Sequence, residues 1–167
     1  MSPKLKEIMV EDVVTVKATS TIKEAAELMN KNEIGCLIVI DKGKPAGIIT
    51  ERDMLKRVIN ESRRPKQTTV SQVMSKPLIS VQPKMQAGDA AKMMLKQKIK
   101  KLPVIENDQI LGLVTLTDLI QSEEVLDFLN GRSYKNAPKR IKKIVDLYYD
   151  RAKRYRRRCP LIMKDGF

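Results

Sequence analysis

The chain has 167 residues, 42% of them hydrophobic, and a formal charge of +13 with no histidine. That length suffices for one ordinary core or two small packed units, and no apolar run reaches the roughly 18–20 residues that span a membrane as a helix. The missing histidine removes the usual general base and a common metal ligand. No acidic pair, glycine-rich phosphate loop or activated nucleophile takes its place, so neither catalysis nor a metal site is expected.

The opening residues, MSPKLKEIMVED, put charges where a signal peptide needs an apolar stretch, and a cytoplasmic chain is expected. A short extended piece, residues 13–16 (VVTV), comes first, followed by a polar turn. A helix is then predicted from Ile22, Ala25, Ala26 and Met29, spaced i, i+3, i+4, i+7 as one buried face. Thr19 or Ser20 is the expected N-cap, with Glu24 in the first turn. Residues 36–40 (CLIVI) read as a buried strand in which Cys36 is a small core residue. The turn Asp41-Lys42-Gly43-Lys44 leads into a second strand over residues 46–49, and Thr50-Glu51-Arg52-Asp53 opens a helix through Met54, Leu55 and Val58.

The same order then repeats. Shifted by 65 residues, the chain matches itself without a gap from Ile8 to Leu55: Met9 with Met74, Val16 with Val81, Met29 with Met94, Leu37 with Leu102, and Gly47, Thr50 and Asp53 with Gly112, Thr115 and Asp118. Two copies predict a pseudo-symmetric pair, not a solenoid, which needs three or more. Each β-α-β-β-α unit of roughly 55 residues is marginal alone, so the two sheets are expected to pack together around a shared core. The divisions expected are residues 1–64, 65–131 and a basic tail, 132–167.

A duplicated β-α-β-β-α unit ending in Gly-apolar-apolar-Thr-x-x-Asp (GIITERD, Gly47 to Asp53; GLVTLTD, Gly112 to Asp118) resembles a tandem pair of cystathionine β-synthase (CBS) domains, the Bateman module, over residues 4–123. The fold class implied is α+β, two CBS repeats as a pseudo-twofold pair with a basic C-terminal helix. The resemblance also implies adenosine nucleotides bound in two clefts, each built from both repeats, and self-association as a homodimer. Carried over residue by residue, cleft A would take Thr50, Arg52 and Asp53 with Met74, Ile79, Ile99, Lys100 and Lys101. Cleft B would take Thr115, Thr117 and Asp118 with Met9, Val14, Ile34, Gly35 and Cys36. Only cleft A shows cations at its phosphate end, so it is expected to hold phosphates, and cleft B to be weaker. Ile38 departs from the pattern, standing where the second repeat has Pro103.

Two readings of Thr-x-x-Asp stand side by side. A threonine can cap the following helix while a first-turn carboxylate favours its positive end. The same helix start offers backbone N–H groups to an anion, and an ionised Asp can accept both hydroxyls of a ribose diol. Lys100 and Lys101 likewise read either as phosphate ligands or as a solvated turn.

The charge is uneven: residues 132–167 hold thirteen Lys or Arg against three Asp, and the remainder twenty against seventeen. From Ala137 a helix is predicted with Ile141, Ile144, Val145 and Tyr148 as its apolar stripe. Lys139, Arg140, Lys142, Lys143, Arg151, Lys153, Arg154, Arg156, Arg157 and Arg158 make its other faces and end basic. Three uses fit: docking on the module or a partner subunit, salt-dependent nucleic-acid binding with tyrosines stacking on bases, or attachment to an anionic membrane. Cys159 in this tail is expected to be a free thiol. The reading that follows is a non-catalytic regulatory sensor of an adenine nucleotide (AMP, ADP, ATP or a relative), acting on a partner protein. The alternative is a non-specific DNA- or RNA-binding protein with the repeats as scaffold. No other cofactor is required.

Overall fold

The computed structural model describes residues 3–121; the side chains of 95, 120 and 121 are not among those described. The basic helix expected from Ala137, its lysines and arginines and Cys159 all lie outside the described residues. In chain order the elements are β1 (Thr15–Lys17), α1 (Ile22–Lys31), β2 (Cys36–Asp41), β3 (Lys44–Thr50), α2 (Glu51–Met54) continued by a π-helical turn (Leu55–Ile59), and α3 (Val70–Val73). The second repeat follows with α4 (Ala87–Gln97), β4 (Lys101–Glu106), β5 (Gln109–Thr115) and α5 (Leu116–Gln121). A 3-10 turn, Leu5–Glu7, precedes them all.

In the first repeat β1 pairs in parallel with β2, which pairs antiparallel with β3. In the second, β4 and β5 form the matching hairpin. Both hairpins turn through two residues of positive φ, Lys42 and Gly43 at 48° and 79° and Asn107 and Asp108 at 52° and 63°. Turns of that hand match the twist of the flanking strands. Each hairpin also carries a register shift at the same place, between Val39 and Ile40 and between Val104 and Ile105.

The extended piece expected at residues 78–81 is not a strand. Val81 alone bridges β4, donating to Pro103 O and receiving the Ile105 N–H. The cause is Pro103. Its counterpart Ile38 donates to Val14 O at 3.3 Å, a bond proline cannot make. The helix cap also differs from expectation. Thr21, not Thr19 or Ser20, caps α1 in a reciprocal box with Glu24. The Ser20 carbonyl is taken by the Val70 N–H, and Ile22 N–H donates to Thr68 O, so the chain turns into the helix one residue later.

The shared core expected between the sheets is replaced by two separate ones. Val16, Ile22, Ala25, Met29, Leu37, Val39, Ile49 and Val58 form one, closed by Val70, Val73 and Met74 of the segment that leads into the second repeat. Val81, Ala90, Ala91, Met94, Leu102, Val104, Val114 and Leu119 form the other, closed by Leu5 from the start of the chain. Each repeat thus receives the entry segment of its partner. The reason is geometric: α1 and α4 cover only part of their sheets, and a short apolar segment fills the rest. Ala26, expected on the buried face of α1, is exposed, while its counterpart Ala91 is buried.

Candidate functional site

The entry segments bring the two repeats together at the ends of β3 and β5. Ser75 exchanges backbone hydrogen bonds with Ile48, 3.1 and 2.8 Å, and Val10 exchanges the matching pair with Leu113, 2.9 and 2.8 Å. Gly47 and Gly112 lie where these segments cross. A Cβ on Gly47 would stand 2.8 Å from the Met74 sulfur and 2.9 Å from Ser75 O; one on Gly112 would stand 2.7 Å from the Met9 sulfur and 2.9 Å from Val10 O. The motif glycines are therefore close-approach positions, each beside a methionine of the other repeat's entry segment.

Past the glycines, each strand ends in a capping box. Thr50 Oγ1 accepts from Asp53 N at 3.2 Å, while Asp53 Oδ2 accepts from Thr50 N at 3.0 Å and from Thr50 Oγ1 at 2.6 Å. Thr115 and Asp118 repeat the arrangement at 2.7, 2.8 and 3.3 Å. Glu51 N–H donates to Gly35 O and Leu116 N–H to Lys100 O. The first and third N–H groups of each helix are thus spent within the protein, and the expectation that these termini offer their N–H groups to an anion is corrected accordingly. What each box leaves over is the second carboxylate oxygen, Oδ1.

Those oxygens are treated differently. Asp53 Oδ1 receives the Ser75 hydroxyl at 3.1 Å and stands 3.6 Å from an Arg57 guanidinium nitrogen that also donates to Val73 O at 2.5 Å and Met74 O at 3.0 Å. The Asp53 side chain is 14% exposed. Asp118 has no printed counterpart of these bonds among the described residues, and at the position of Ser75 the first repeat has Val10. Sequence reasoning missed both Ser75 and Arg57. Arg57 was within its reach, since an Asp and an Arg four apart share a helix face.

Alternate residues of β2 separate the core from the junction. Leu37 and Val39 enter the first core, while Cys36 and Ile38, also buried, belong to neither core. Cys36 pairs in register with Thr50, and Lys101 with Thr115. Lys101 Nζ would be 3.3 Å from a Cβ on Gly35, whose other side would meet Glu51 Oε2 at 2.8 Å. Burial pushes the Cys36 thiol up, an effect that the adjacent Lys101 ammonium partly offsets. Lys101, assigned on sequence to the lining of cleft A, thus lies against Gly35 and Cys36, assigned to cleft B.

The remaining candidates are placed as follows. Arg52, Lys100 and Thr117 are exposed, and Ile79 is 37% exposed. Val14 and Ile34 pack on the first core, and Met9 and Ile99 on the second. A separate polar groove, lined by Ser80, Gln82, Lys84, Gln86 and Asp89 among others, shares no residue with either Thr-x-x-Asp end. No group of ligating side chains suited to a metal ion occurs among the described residues, and no described helix is long and apolar enough to cross a membrane.

The CBS-domain family model matches this chain twice, over residues 5–60 and 70–124. The CBS domain-containing protein YhcV of Bacillus subtilis is 37% identical over 136 residues, covering 79% of this chain and 96% of that protein. A Methanopyrus kandleri protein is 34% identical over 122 residues, covering 72% of this chain but only 62% of its own length. Among solved structures, the hexameric CBS-CP12 protein from bloom-forming cyanobacteria superposes with a TM-score of 0.72 at 26% identity, covering 93% of this chain and 83% of that one.

Proposed function

The chain belongs to the CBS-domain family, with two CBS domains, and from that premise we propose that it is a non-catalytic sensor of an adenine nucleotide held where its repeats meet. CBS pairs are regulatory modules that generally bind adenosine ligands. The observation that carries the reading here is the pair of equivalent Thr-x-x-Asp boxes, each closing a helix start beside the other repeat's entry segment. A carboxylate oxygen not used in the box suits a ribose hydroxyl, Lys101 supplies a cation for phosphate, and apolar side chains such as Met9 and Met74 supply surfaces for a base. Charge-assisted bonds to phosphate are roughly twice as strong as neutral ones, which makes a phosphorylated nucleoside the favoured ligand over adenosine.

The mechanism follows from linkage. A ligand touching both repeats favours the mutual arrangement it fits best, and shifts that equilibrium only by its differential affinity for the two states. A partner protein, or a second copy of the chain, would read the shift. Calorimetric titration of the intact chain, stripped of carried-over ligand, tests the reading with AMP, then ATP, then S-adenosylmethionine. Saturable binding of about micromolar affinity by any of the three supports it; three flat titrations reject it.

A further inference from the structure

We propose that the two Thr-x-x-Asp ends are unequal in a direction opposite to the one their neighbouring charges suggest: Asp118 holds the ribose diol, while Asp53 is committed to the structure through Ser75 and Arg57. The proposal rests on the sensor reading above and goes beyond it by assigning the site.

The argument begins with oxygen accounting. A carboxylate must keep one oxygen for its capping box, so only Oδ1 remains to receive a diol. At Asp53 that oxygen already receives the Ser75 hydroxyl at 3.1 Å, with Arg57 at 3.6 Å. A ribose hydroxyl would have to displace Ser75 or crowd beside it, in a site where the carboxylate is only 14% exposed. Replacing an existing hydrogen bond by another of the same kind returns little net free energy. At Asp118 the corresponding residues are Val10, with no hydroxyl to donate, and Ser122, which cannot form an ion pair. A diol reaching Asp118 therefore displaces neither bond.

The cation points the same way. Lys101 is the register partner of Thr115, the cap of the Asp118 box. Its ammonium reaches Gly35 and the Cys36 side chain, placing a positive charge among the residues expected beside Asp118. On sequence that end of the junction is neutral; in the fold Lys101 supplies its charge. Phosphate and diol recognition then fall on one side of the pseudo-twofold, and the opposite side acts as an internal brace.

The test uses the full chain, AMP as the probe and ATP where AMP gives no heat. Asp118→Asn should lower nucleotide affinity by about tenfold or more, the worth of a hydrogen bond to a charged group. Asp53→Asn should lower it at least fivefold less than Asp118→Asn does, and should lower the urea midpoint of the ligand-free protein by the larger amount. Val10→Ser, at a position 51% exposed, gives Asp118 the hydroxyl that Asp53 has. It should weaken binding several-fold with the midpoint unchanged, a result no general loss of structure would produce. Equal losses in the two Asp variants, a larger loss in Asp53→Asn, or no effect of Val10→Ser on affinity would overturn the assignment alone. Wild-type protein silent toward every nucleotide would overturn the assignment and the sensor reading together.

Discussion

Gly47 and Gly112 owe their place to the absence of a side chain. Neither sits in the left-handed region; what each avoids is a backbone carbonyl 2.9 Å from where its Cβ would stand. Alanine at either position must push the entry segment of the other repeat off the strand it pairs with, and overpacking of this kind costs about 1–3 kcal/mol. Gly35 provides the control. Its Cβ would meet only the ends of the Glu51 and Lys101 side chains, which swing aside at little cost. Urea denaturation should place Gly47→Ala and Gly112→Ala well below wild type and Gly35→Ala within about 0.5 kcal/mol of it; a Gly35 loss as large as the other two would refute the close-approach account. The sequence showed that the glycines recur 65 residues apart, and so that they matter. It did not show why, because the crowding atoms come from residues 9–10 and 74–75, far along the chain. Thr50, Asp53, Thr115 and Asp118 were legible as a motif for the same reason of recurrence, whereas Ser75 broke the repeat and was overlooked.

Elements are fixed here by small chemical differences between otherwise duplicate segments. Pro103 for Ile38 removes one N–H and with it the strand at residues 78–81, an outcome that hydrophobic alternation alone does not register. At α1 the alternation was read correctly, since Ile22, Ala25 and Met29 are buried, but its start was misplaced because the tertiary pairing of Ser20 and Ile22 decides it. Thr21→Ala should cost about 1 kcal/mol at neutral pH, with Thr19→Ala close to neutral because Thr19 is exposed and not the cap. The cost should also depend on pH. The Thr21 backbone N–H and then its hydroxyl hold the Glu24 carboxyl below its ordinary value. A group whose pKa is depressed on folding stabilises the protein above its unfolded value, and that contribution is lost as pH falls through the folded one. The gap between wild-type and Thr21→Ala midpoints should therefore narrow as pH drops from about 6 to about 3. A gap that is constant over that range would show that Glu24 takes no part in the cap's energetics.

At the scale of the whole molecule, the exchanged entry segments explain how a duplicated unit becomes one structure. Leu5 is wholly buried in the second core, and Val70 and Val73 are wholly buried in the first. The periodicity of a short apolar segment says that it will be buried but not in which core, so the division at residues 64 and 65 was natural on sequence while the exchange was invisible. The consequence is testable without any ligand. Residues 1–64 alone lack Val70, Val73 and Met74, and residues 65–131 alone lack Leu5, so each fragment has an open core. Loss of a buried Leu side chain alone costs about 2–5 kcal/mol, a large share of the 5–15 kcal/mol that holds a typical domain together. Neither fragment should show a cooperative thermal transition by circular dichroism, and mixing the two should restore one. A sharp transition from residues 1–64 by themselves would show that the exchange is dispensable. If the exchange is required, the link to function is direct. The segments that complete each core are those that pair beside Gly47 and Gly112 and run within reach of Asp53 and Asp118, so one repeat cannot shift against the other without moving the walls of the junction where the nucleotide would sit.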